Sequence, residues 1–303
     1  MITTPDLPRL EQAVERTLAT GDESALHVLG YGEISSVLAW PEASGPHACK
    51  RLPIFDDEAR YDAFRACFHD YLDALTKAGV AVHDSRLEAL PRDDGRIVAY
   101  CIQPVLEAAA LAPAQLRTAD RRSGRALLGE IVGYIATTVR PTLGIDAQLS
   151  NWATSRSSLV YIDITTPLLR DAAGRDLLDT ELFMASLPAA FRPVVRRFML
   201  ADILDPYFAA RPAALDLAGN LHKEGLVDWV ADLVAIANER LGIDLDVAEV
   251  RRYYRSDARR WALLQRARRV DRAWQRRVRR RAYPFLLPGH VDRRLSPRIE
   301  RSR

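Results

Sequence analysis

A change of periodicity near Gln103-Pro104 constrains this chain more than any other feature. Before it, short runs of strand composition alternate with turns rich in Gly, Pro, Ser and Asp. After it, apolar residues recur mostly at helical spacing. The break predicts an α+β protein with a small antiparallel sheet in residues 1–104 and a larger, mainly helical part in 105–303.

Within the first part, residues 8–20 carry apolar positions at helical spacing and stop at Gly21, which predicts a short amphipathic helix. Strand-like runs follow at Ala25–Leu29, Ser36–Trp40 and His47–Leu52. Residues 57–78 return to a helical period, with Tyr61, Phe64, Phe68, Tyr71 and Leu75 on one face. Two further strands, Arg86–Leu90 and Ile97–Ile102, are joined by the turn Pro91–Gly95. In the second part, residues 113–140 read as helix. A loop at 141–151 leads to two short strands, Trp152–Thr154 and Leu159–Ile164, and everything after Leu177 reads helical.

Composition narrows the function classes. Hydrophobic residues make up 48% and charged ones 27%, a globular balance. No apolar run reaches the roughly 18–20 residues that a membrane-spanning helix requires. The first residues lack the basic and apolar regions of a signal peptide. Cys49, Cys67 and Cys101 are too few for a disulfide framework, so the expectation is a cytoplasmic protein with reduced thiols. Residues 251–303 hold 19 arginines against four acids, whereas the rest of the chain is net acidic. Lysine occurs only as Lys50, Lys77 and Lys223. In a chain that uses arginine for plain positive charge, each lysine points mildly to a role for a compact ammonium.

Four segments carry chemistry. Leu29–Val37 is a glycine-containing turn between two strands. Gly30 and Gly32 allow backbone N–H groups to approach a phosphate, and Ser35 or Ser36 adds a hydroxyl. Lys50 follows on the next strand, where it either reaches phosphates or snorkels from an edge. Glu58, on the helix after it, is the first candidate for its carboxylate partner, with Asp57 and Asp62 competing. Asp146 and Asn151 lie five residues apart on the loop after a buried helix. The acid suits deprotonation of a hydroxyl and the amide oxygen suits Mg²⁺, although an Asx turn uses the same residue types. Asp163 ends an otherwise apolar strand, where a carboxylate calls for a partner or a metal.

In this order the four segments resemble the protein-kinase-like superfamily, most closely its aminoglycoside-phosphotransferase and choline-kinase branch, over residues 25–165. The resemblance implies a bilobal fold, and ATP and Mg²⁺ as cofactors. It implies that Lys50 holds the α- and β-phosphates, that Asp146 is the catalytic aspartate, and that Asn151 and Asp163 ligate Mg²⁺. Residues 103–106, starting at Gln103, become the hinge beside adenine. The chain departs from the branch at Gly144, where a histidine is usual, and at Thr165, where a glycine is usual. The implied activity is transfer of phosphate from ATP to a small-molecule hydroxyl. A catalytically impaired nucleotide-binding scaffold and a nucleotidyl transferase stay open as alternatives.

Two segments fall outside that pattern. Asn220, His222, Lys223 and Glu224 form a polar cluster that either faces the acceptor or marks an exposed helix end. The arginine-rich helix beyond residue 251 carries a stripe through Trp261, Leu264, Ala267, Val270 or Asp271, Trp274 and Val278. The stripe favours a closing helix packed on the helical part, with contact to nucleic acid or anionic lipid as the other expectation.

Overall fold

The computed structural model describes residues 6–31, 35–185 and 203–279. Helix α1 (Leu7–Thr20) starts where Asp6 accepts a hydrogen bond from the Arg9 N–H, and ends at Gly21 in the left-handed region (φ 82°). Strands β1 (His27–Tyr31), β2 (Ser36–Trp40) and β3 (His47–Arg51) precede helix α2 (Glu58–Lys77). Strands β4 (Arg86–Pro91) and β5 (Ile97–Pro104) follow it. The five strands form one antiparallel sheet in the order β1-β2-β3-β5-β4.

The two faces of this sheet are set by side-chain alternation. On β5, Val98, Tyr100 and Ile102 turn toward α1 and pack with Leu7, Leu10, Val14 and Leu18. Ile97, Ala99 and Cys101 turn the other way, toward Phe64, Phe68 and Tyr71 of α2 and the main core of the protein. The same alternation on β3 separates two adjacent cations. Arg51 lies opposite Tyr100, on the α1 face, and Lys50 lies opposite Cys101, on the α2 face. Arg51 makes two hydrogen bonds to buried Glu11 of α1 (2.9 and 2.7 Å), whose carboxylate also accepts from the Tyr100 hydroxyl at 2.6 Å.

Beyond residue 104 come α3 (Ala112–Thr118) and α4 (Arg121–Thr138). Sequence periodicity predicts one helix over 113–140, but Ala119 is extended, and Asp120 caps a new helix by accepting from the Ser123 N–H at 2.7 Å. Strands β6 (Trp152–Ser155) and β7 (Ser158–Tyr161) form a hairpin whose turn residues, Arg156 and Ser157, both have positive φ. β7 ends earlier than expected. Tyr161 exchanges backbone bonds with Ala81 and His83, and Ile162 donates to the Asn151 carbonyl, so Asp163 lies just past the hairpin. A short helix α5 (Glu181–Ala185) follows, then α6 (Ala210–Lys223), α7 (Val230–Leu241) and α8 (Val247–Arg277).

Asp232 of α7 is buried between Arg121 and Arg125 of α4, which ties those helices together. The first turns of α8 close the core through Val250, Tyr254 and Ala258; of the expected stripe, Trp261, Leu264 and Ala267 are half-buried and Val270, Trp274 and Val278 are exposed. No helix among the described residues is long and apolar enough to cross a membrane.

Candidate active site

The loop from Gly144 to Asn151 alternates buried and half-buried residues. Ile145, Ala147 and Leu149 are buried in the core, so Asp146 and Gln148 between them point the other way. The backbone of this loop is held from several sides. The Gly144 N–H donates to the Leu168 carbonyl (2.9 Å) and the Ile145 N–H to the Tyr207 carbonyl (3.3 Å). Asn151 donates its side-chain amide to the Asp146 carbonyl (3.0 Å), which leaves its Oδ1 as the end for another ligand.

Lys50 and Asp163, 113 residues apart in sequence, meet in a 2.7 Å ion pair. The Thr165 hydroxyl donates to the same carboxylate oxygen at 3.3 Å. Burial pushes the Asp163 carboxyl pKa upward, but the Lys50 charge and the bonds from Lys50 and Thr165 outweigh it and hold the pKa below the ordinary value. Asp146 belongs to the same cluster. Tyr71 of α2 and Tyr161 of β7 are both buried. Their hydroxyl pKa values are raised first by burial and then by the charges of both Asp146 and Asp163. The Ile162 N–H bond to the Asn151 carbonyl sets the segment carrying Asp163 against the Asp146 loop.

The remaining residues singled out from sequence are distributed as follows. Gly30 pairs with Val37 at a bulge in β1. Val37 in turn lies opposite Lys50 on β3, so β2 separates Gly30 from the lysine strand. Ser36 is buried between Tyr31 and Arg51 in the sheet, and Ser35 is half-buried at its edge. Gly32 lies outside the described residues. The Gln103 side chain donates to the Ser85 hydroxyl (2.9 Å) and the Ile162 carbonyl (3.0 Å), which joins β5 to the segment carrying Asp163.

Glu58 is not brought to Lys50. It is exposed in the first turn of α2, and the N-cap Asp57 and Asp62 of the second turn are exposed as well. The inner end of that turn is filled by rings, with Phe55 packed 5.5 Å from Tyr61 and 5.3 Å from Phe64. The carboxylate that reaches Lys50 comes from Asp163 instead.

Sequence reasoning missed the frame behind the loop. Gln148, two residues after Asp146, donates to Asp216 of α6 (3.0 Å) and accepts from Asn220 (3.2 Å), with the Lys223 ammonium 3.4 Å away. Asn220 Oδ1 accepts from the Leu149 N–H at 2.8 Å, and Tyr253 of α8 donates to Asp216 at 2.6 Å. Asp216 has a raised pKa, chiefly because it is buried. The only sequence signal was the density of polar residues at 216–224 in an otherwise helical stretch. Asn220 thus braces the loop. His222 stacks on Tyr254 (5.1 Å between ring centres), and Glu224 lies 3.6 Å from Arg117.

Gly144, where the resembling branch has histidine, has a local reason. A Cβ there would lie 2.9 Å from the Tyr207 carbonyl oxygen and 3.2 Å from the Leu168 side chain. The Gly144 carbonyl accepts from the Tyr71 hydroxyl at 3.2 Å, so α2 supports the loop from outside it. Among the described residues no group of three or more His, Cys, Asp or Glu side chains is arranged to hold a metal. A cation here would rest on the hard oxygens of Asp163 and Asn151 together with those of a ligand.

A family model described as "Family of unknown function (DUF6206)" matches residues 9–272. No curated protein matches. Among solved structures, the chain is distantly similar to WaaP in complex with acyl carrier protein. The two are 15% identical over 85% of this chain and 96% of that one, at a TM-score of 0.37.

Proposed function

The chain belongs to the DUF6206 family, and we propose that it is a Mg²⁺- and ATP-dependent phosphotransferase acting on a small-molecule hydroxyl. In this reading residues 1–104 and 105–303 are the two lobes of a protein-kinase-like plan. The observation that carries the reading is the 2.7 Å pair between Lys50 on β3 and Asp163 past the β6–β7 hairpin, next to the Asp146–Asn151 loop. A nucleotide site needs an ammonium for the phosphates, hard oxygens for a cation and a carboxylate for the incoming hydroxyl. Lys50 on β3, Asp163 past the β6–β7 hairpin, and Asp146 with Asn151 on the loop after α4 are the candidates for these tasks.

Each residue then has a distinct task. Lys50 binds the triphosphate. Asp146 orients the acceptor hydroxyl and accepts its proton as the acceptor oxygen bonds to the γ-phosphorus and the bridging P–O bond breaks. ADP leaves with that electron pair. Asp163, whose pKa is held below the ordinary value by Lys50 and Thr165, and the Asn151 Oδ1 would hold Mg²⁺. When bound, the ion neutralises charge on the phosphate oxygens. The Tyr71–Tyr161 pair stays protonated and apolar toward the core, and so supplies no competing base.

Thermal stability in the presence of ATP, with and without Mg²⁺, tests the reading. A Mg²⁺-dependent rise in Tm that is lost in Asp163→Ala is expected. Asp146→Asn should keep the nucleotide-induced rise while losing ADP release with an acceptor. Product mass separates transfer of phosphate from transfer of AMP. The absence of a shift with any nucleotide overturns the proposal.

A further inference from the structure

The distal half of α8 half-buries Trp261 and Leu264 yet leaves a second apolar line facing outward. Its polar Gln265 and Arg268 are buried (2% and 3% exposed), whereas Leu263, Val270, Trp274 and Val278 are 70%, 70%, 55% and 56% exposed. At 100° per residue these four fall on one face, a ridge of about 22 Å from Leu263 to Val278. Arg259, Arg266 and Arg277 line its flank at helical spacing, and all three are exposed. A helix that only closed the core would turn the apolar line inward.

We propose that this ridge is a docking surface for an anionic phospholipid bilayer. The chemistry matches on two counts at once. Aliphatic side chains and one indole find an acyl boundary in which to insert, and guanidinium groups beside them pair with headgroup phosphates while their stems lie along the ridge. The basic segment 251–303 is complementary in charge to such a surface, against a net acidic remainder. Nucleic acid offers the phosphates but no receptacle for Leu263, Val270 and Val278. A single outward-facing ring, Trp274, makes no stacking ladder for bases. The docking is independent of nucleotide chemistry, so it stands or falls separately from the phosphotransferase reading.

Flotation of the full-length protein with vesicles tests it. Binding is expected to phosphatidylcholine vesicles containing phosphatidylglycerol at low salt, weakened at high salt, and absent with phosphatidylcholine alone. The ridge variant Val270→Asp/Trp274→Asp and the flank variant Arg266→Glu/Arg277→Glu should each reduce binding at least about tenfold. Both change exposed side chains, so their circular dichroism melts should match the parent. Unchanged vesicle binding in the two variants overturns the proposal, as does failure of the parent to bind anionic vesicles. Tighter, Trp274-dependent binding to a single-stranded oligonucleotide overturns it in favour of nucleic acid.

Discussion

Asn220→Ala offers the sharpest test of how the candidate site is held. Asn220 is buried, and its amide makes two bonds to the loop: Oδ1 accepts from the Leu149 N–H (2.8 Å) and Nδ2 donates to Gln148 Oε1 (3.2 Å). Truncation strands the buried Leu149 N–H, which costs about 1–3 kcal/mol, and loses a second bond of about 0.5–1.5 kcal/mol. The expected total is about 2–4 kcal/mol. With an unfolding entropy of about 2.1 cal/mol/K per residue, that lowers Tm by roughly 3–6 °C in a chain of this length. The Asp146 end of the loop loosens at the same time, so the rate of ADP release should fall while nucleotide binding at Lys50 and Asp163 is kept. A thermal melt, a nucleotide-binding titration and an acceptor-dependent turnover assay read the three quantities. A double-mutant cycle with Gln148→Ala should give a coupling of about 1 kcal/mol. If Tm is unchanged and only the KM for an acceptor rises, Asn220 contacts substrate and the bracing argument is refuted.

Three other outcomes follow from the structure. Glu11→Ala removes the partner of buried Arg51 and of the Tyr100 hydroxyl and should destabilise the protein by about 3–5 kcal/mol in denaturant unfolding, with Glu11→Gln costing less. Gly144→His, which restores the residue usual in the resembling branch, should lower rather than raise stability and turnover, because its Cβ meets the Tyr207 carbonyl. His222 has a pKa below the ordinary 6.5, through burial first and then Arg251 and Arg255. Its folded state therefore binds fewer protons than the unfolded chain just below that value. Its share of stability is full above 6.5 and is lost as pH falls from there. His222→Phe, which keeps the ring on Tyr254, should flatten the Tm–pH profile between pH 6.5 and its lowered pKa.

Local patterns alone determined much of this protein. Helix α1 is bounded by an Asp cap and a left-handed Gly, and the rings of α2 recur at helical spacing. The alternation of β3 sends Lys50 and Arg51 to opposite faces, which no change in distant packing can reverse without slipping the strand. Asp146, Asn151 and Asp163 were visible because charged or amide residues interrupt apolar runs at fixed spacing. The partnerships were not visible, since they depend on which elements meet across the fold. Glu58 has the right spacing from Lys50, yet rings close the inner side of its turn and Asp163 takes the ion pair from 113 residues away. Asn220 looked like a residue at a helix end until tertiary packing set it against the Leu149 N–H. Of the apolar stripe expected on α8, Val270, Trp274 and Val278 are exposed while Trp261, Leu264 and Ala267 are half-buried, and exposed Leu263 lay outside it; periodicity specifies only that an apolar face exists. Which way it turns is decided by what packs on the opposite side, and here Gln265 and Arg268 are the buried residues.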